Sequence, residues 1–271
     1  MNLRLFAPLV LLSSLILSSC TDSEDGKRMP VSTDSELALE LYETGLMAFD
    51  QIKLEVSAYN LDLAIKEDPD FFMAYYWLYF VTGNSSKKIA EKALLVKADL
   101  NDGEKEIRKA FKYLLDGQEE KVVKHLKNAV ALYPEDPDVH KVLYLLQFNY
   151  INDMEAALES VEAAIEACPE YPLAYNQKGY ILMDLERFDE AGKAFDSYIR
   201  LAPRLANPYD SKGDYFMNIG QYDSAYNSYM MAYDTDAAFV VSAKKAKKAR
   251  QLLESKGSSP EHQSGESSWK K

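Results

Sequence analysis

The chain has 271 residues with only 11 glycines and no valine- or isoleucine-rich alternation, which argues against β-sheet. Its formal net charge of −12 disfavours attraction to nucleic-acid phosphates. Two cysteines, Cys20 and Cys168, make no disulfide framework.

At the amino terminus Arg4 precedes an apolar run, Leu5 to Leu17, too short for a comfortable membrane span. Residues 1–19 therefore read as a targeting segment outside the fold. The run ends Leu17-Ser18-Ser19-Cys20, which resembles the lipobox of bacterial lipoproteins. The resemblance implies cleavage before Cys20, diacylglycerol on its sulfur, acylation of the new amino terminus and a chain held to a membrane of the cell envelope. Thr21, where aspartate would retain the protein, is similar to the outer-membrane sorting signal of enteric bacteria. Asp22 to Asp25 resembles the acidic export tract of surface lipoproteins in the Bacteroidota, and a solvated linker fits those residues equally. The periplasmic and the surface face both stay open. Residues 20–35, polar and acidic with Gly26 and Pro30, are expected to form a flexible tether.

Helical periodicity begins near Glu36. From there the chain repeats itself, most clearly at its carboxyl end. A shift of 34 residues carries Pro169 to Pro203, Tyr175 to Tyr209, Gly179 to Gly213, Phe188 to Tyr222, Ala191 to Ala225 and Phe195 to Tyr229. Small residues let antiparallel helices approach, aromatics fill the wider gaps, and proline ends each second helix because it lacks an N–H. One such pair cannot bury both its apolar faces, so pairs must stack. The pattern resembles the tetratricopeptide repeat (TPR). The resemblance implies an all-α TPR α-solenoid of about six helix-turn-helix units. They are expected near 38–71, 72–102, 103–136, 138–171, 172–205 and 206–239, within an array spanning 36–239. The second unit is degenerate, with Tyr79 at the small position, and Leu145 fills that position in the fourth. Residues 240–255 are expected as a capping helix with a basic stripe from Lys244 to Arg250 that suits a solvated face or anionic lipid. The polar tail 256–271 is expected to be disordered.

No catalytic constellation appears, and no cofactor or metal is implied. Cys168 has no histidine close along the chain and reads as a structural free thiol. His125, His140 and His262 lack ligand spacing. The TPR resemblance implies instead a concave groove lined by the first helix of each unit. Its expected lining includes Tyr76, Phe80, Phe111, Tyr150, Asn176, Tyr180, Met183, Asp210, Asp214 and Asn218. TPR domains that grip a free carboxyl terminus place lysine, asparagine and arginine there. Asn176 fits, but Tyr180 does not, and Asp210 and Asp214 would repel a carboxylate. The reading is a membrane-anchored, non-catalytic adaptor for an apolar or basic segment of an envelope protein or peptide. A glycan- or nutrient-binding surface lipoprotein is the alternative, suggested by 19 tyrosines.

Overall fold

The computed structural model describes residues 28–83 and 86–257. The expected signal segment, Cys20, the first part of the tether and residues 258–271 of the tail lie outside the described residues. Six antiparallel hairpins follow one another. They are α1 (Glu36–Asp50) with α2 (Leu54–Glu67), α3 (Phe72–Val81) with α4 (Lys87–Leu95), and α5 (Asp102–Leu115) with α6 (Glu119–Leu132). Then come α7 (Pro137–Leu146) with α8 (Met154–Ala167), α9 (Pro172–Asp184) with α10 (Phe188–Leu201), and α11 (Asn207–Asn218) with α12 (Tyr222–Thr235). The final helix α13 (Val240–Gly257) packs on α12 as the first helix of a seventh pair would. Each hairpin contacts mainly its neighbours, and no strand occurs among the described residues.

Local chemistry sets the helix starts. The Ser35 side chain accepts from the Ala38 N–H at 3.1 Å to open α1. Asn101 and Glu104 form a reciprocal capping box on α5, and Pro137 and Pro172 occupy first turns that need no N–H. Where the small position of the repeat is glycine, it makes room for a side chain of the second helix. A Cβ on Gly179 would come within 2.5 Å of the Phe195 ring, and one on Gly213 would collide with Tyr229. Close approach of helix to ring, more than of backbone to backbone, is what glycine provides here.

Where the small residue is missing, the hairpin distorts. Beyond Leu145 the helix widens into a π-helical turn, Gln147–Ile151, before Asn152 reverses the chain in a left-handed conformation. With Tyr79 in the small position, α4 is short, and residues 96–101 cross to α5 without regular structure.

Residues 28–35 do not continue the flexible tether expected of them. They form a strap laid across the beginnings of α3, α5 and α7. Thr33 donates its hydroxyl to Asp68 at 2.6 Å, the Ser32 N–H donates to Glu104 at 2.9 Å, and the Met29 N–H donates to Asp136 at 2.7 Å. These partners recur near the start of successive repeats, so one extended segment meets a carboxylate at each step.

Candidate functional site

The first helices of the repeats carry three distinct stretches. At the helix beginnings the strap fills the groove. Met29 and Val31 lie half-buried over a cleft of about 320 Å³ walled by Tyr42, Leu46, Met73, Trp77, Ile107 and Val142. Beneath it Glu104 is fully buried and Asp136 nearly so. Burial raises the carboxyl pKa of Glu104, and the hydrogen bonds from Ser32 and Asn101 pull it back.

At the other end of the same helices lies an aromatic cleft of about 200 Å³. Phe49, Tyr76, Trp77, Phe80 and Tyr150 form its walls, with Leu145, Leu146 and Asn149 at its edge. The rings interlock: Phe49 to Trp77 at 5.3 Å, Tyr76 to Phe80 at 4.8 Å and Phe80 to Tyr150 at 5.6 Å between centroids.

Between the two sits a buried cation that sequence reasoning missed. The Lys141 side chain is wholly buried, with Nζ 2.9 Å from Asp50 and 2.7 Å from Asp138. Tyr171 donates its hydroxyl to the other Asp50 oxygen at 3.0 Å. The Phe49, Trp77 and Tyr171 rings surround the ammonium at 5.1 to 5.7 Å. Burial alone would lower the Lys141 pKa, but the carboxylates of Asp138 and Asp50 outweigh it and raise it to about 12. This latch brings the end of α1 against the fourth and fifth hairpins, with Ile52 of the same turn packed there too. Ile52 is a β-branched residue held at φ 59°, a strained backbone that the packing of its side chain helps hold in place.

The third stretch, at α11, is not the open acidic surface the sequence suggested. Lys245 of α13 lies 2.7 Å from Asp210 and 2.9 Å from Asp214. Ser242 donates to Asp210 at 2.5 Å, while Tyr180 and Tyr229 donate to Asp214 at 2.9 and 2.8 Å. Burial pulls the Lys245 pKa down, but bonds to the two aspartates raise it above the usual lysine range. Part of the basic stripe thus faces inward and neutralises the acids, so they do not stand ready to repel a carboxylate as expected. Lys244, Lys247 and Lys248 remain exposed.

The other expected groove residues divide accordingly. Tyr76, Phe111 and Asn176 are buried, so they shape the groove from below and offer little surface of their own. Tyr76 meets Phe111 edge-on at 5.5 Å. Phe80 and Tyr150 keep partly open faces, Met183 and Tyr180 are half-buried, and Asn218 is exposed. Cys168, expected as a free thiol, is fully buried and is not free. His125 sits 2.7 Å from Glu106 and stacks on Tyr113, and His140 Nε2 lies 2.8 Å from the Pro134 carbonyl oxygen. His262 lies outside the described residues.

Comparison with known proteins agrees with this geometry. The sequence profile of the family Tetratricopeptide repeat matches residues 173–205, which is the fifth hairpin and the connection that follows it. Among solved structures, TTC0263, a thermophilic TPR protein of Thermus thermophilus, is similar at 16% identity and a TM-score of 0.50, covering 79% of this chain and 99% of that one. A MamA protein is similar at 17% identity and a TM-score of 0.41, covering 74% and 93%. A chain of the APC/C hetero-tetramer Cut9–Hcn1 is similar at 16% identity and a TM-score of 0.49, covering 78% and 42%. No curated protein matches in sequence. At 16% identity the likeness to TTC0263 is one of fold alone. Residues 173–205 thus match a tetratricopeptide repeat, and the array as a whole has the all-α solenoid fold seen in TTC0263.

Proposed function

We propose that this protein is a membrane-tethered, non-catalytic adaptor that takes an apolar segment of another envelope protein into its aromatic cleft. The observation that carries the reading is the cleft itself. It is a cleft walled by partly open aromatic faces, while the strap fills the cleft at the other end of the same helices and Lys245 ties up the acids of α11. Aromatic walls around a concave pocket suit an aliphatic or aromatic anchor of a partner. Neutralisation of Asp210 and Asp214 removes the reason to favour a basic ligand there. A glycan is the weaker reading, because sugar hydroxyls need polar groups around the rings and the cleft offers Asn149 and tyrosine hydroxyls. The lipobox-like Leu17 to Cys20 supports the tether.

A photo-crosslinking residue in place of Asn149, in cells, tests the adaptor. A discrete adduct with one envelope protein, lost in Phe80→Ala and Tyr150→Ala, is expected. Absence of any adduct, or adducts indifferent to those changes, overturns it, as does calorimetric heat with polysaccharide fragments. Cys20→Ala should release the protein from the membrane fraction; continued sedimentation with membranes refutes the lipid tether.

A further inference from the structure

We propose that the rim formed by the beginnings of α3, α5 and α7 is a second binding site, for an extended peptide segment of another polypeptide, and that the strap 28–33 is its resident, exchangeable occupant. This goes beyond the aromatic cleft and does not depend on it.

The rim has the features of a receptor, and the strap those of a ligand. Its acceptors are fixed by the repeat: Glu104 and Asp136 are buried and Asp68 is half-buried, and each receives a strap N–H or hydroxyl. Ser32 also donates its hydroxyl to Glu104, and Asn101 donates to the Pro30 carbonyl at 2.6 Å. Recognition is thus largely of backbone and hydroxyl, which any extended segment of suitable sequence supplies. The strap contributes no fully buried side chain, Pro30 is exposed, and the Arg28 to Asp138 ion pair at 3.4 Å is about one-third exposed on both sides. Such a pair contributes little to holding the segment down. Gly103 adds an independent sign. It lies in the first turn of α5, and a Cβ there would come within 2.5 Å of the Met29 sulfur and 2.7 Å of the Tyr133 ring. The helix surface is cut away under the ligand side chain.

The buried carboxylates also define what may replace the strap. Left empty, Glu104 and Asp136 would lose donors that offset their burial. The incoming segment must therefore be extended, with an apolar residue over Gly103 and free N–H and hydroxyl groups facing Glu104, and a cation near Asp138 adds a little more. A segment of the form cation–apolar–proline–apolar–serine or threonine meets all of these demands.

The test uses the full chain carrying Met29→Pro and Ser32→Pro, which delete the two strap N–H donors and the Ser32 hydroxyl. The probe is a fluorescent synthetic peptide with the sequence from Arg28 to Asp34, followed by anisotropy. Saturable binding to the variant, about tenfold or more tighter than to the unaltered chain, is expected. Glu104→Gln in the variant should weaken it again by about tenfold, and Phe80→Ala should leave it unchanged. A folded variant that does not bind, or binding indifferent to Glu104→Gln, overturns the proposal. Should the variant fail to fold, amide hydrogen exchange in the unaltered chain decides the matter. Met29 and Ser32 amides exchanging faster than the α5 and α7 cores support exchangeability; exchange only with global unfolding overturns it.

Discussion

The two ends of this solenoid use the same hairpin differently. From α9 to α13 the repeats are regular: glycine faces an aromatic ring, each unit meets the next, and polar contacts run one repeat forward, as from Lys245 to Asp210. From α1 to α8 they are irregular, and the chain folds back on itself. Arg28 reaches Asp138, and Asp50 reaches Lys141 and Tyr171, across sequence separations of 91 to 121 residues. Regular repeats keep their groove contacts local, whereas irregular ones curl until distant units touch. A one-dimensional stack thereby acquires a closed region at its amino end.

Breaking the closure should give the largest effect. Lys141→Ala strands Asp50 without its cation, leaves Asp138 only the longer pair with Arg28, and is expected to cost about 3–5 kcal/mol in denaturant unfolding. A loss under about 1 kcal/mol would mean the latch is incidental. At the regular end Lys245→Ala, which leaves buried Asp210 without its cation, should cost about 1–3 kcal/mol. Hydrogen exchange should locate that loss in α11 to α13. Gly179→Ala forces a methyl against the Phe195 ring and should cost about 1–3 kcal/mol, with Phe195→Leu in the same chain recovering part of it.

A pH titration sharpens the contrast further. Although burial would raise it, bonds from Lys109, His125 and Asn128 hold the Glu106 pKa at about 2. A depressed carboxylate stabilises the fold above its ordinary value of about 4.5, and that contribution disappears as pH falls through about 2. Glu106→Gln should therefore flatten the acid limb of the stability curve; an unchanged limb would show that Glu106 does not contribute. The smallest effect belongs to the exposed Arg187 and Glu190 pair, where Arg187→Ala should leave the melting temperature unchanged.

How much of this could be read in the sequence follows the same division. The 34-residue spacing of Gly179, Ala191 and Phe195 with Gly213, Ala225 and Tyr229 is a local signal, and the hairpins it predicts are there. Asp210 and Lys245 both stand out along the chain, but as charges on separate surfaces. Lys245 stands one repeat after Ser211 on the face turned toward α11, and that spacing is the signal that pairs them. The strap and the Lys141 latch carry no such signal. Their geometry depends on the curvature of four units, which sums small packing differences at Tyr79, Leu145 and the π-helical turn. A lysine set among Val139, Val142, Leu143 and Tyr144 in a largely buried helix is a visible hint that a buried cation needs partners. Nothing in the period says that one comes from α1.

The strap also fixes an order of assembly. Residues 28–33 are made before every hairpin, yet the seat for Met29 includes Asp136, more than one hundred residues downstream. A nascent chain emerging amino end first must hold this segment in waiting until α7 has been synthesised. A piece translated before every hairpin is then among the last to be put in place, and its docking ties four separate hairpins together.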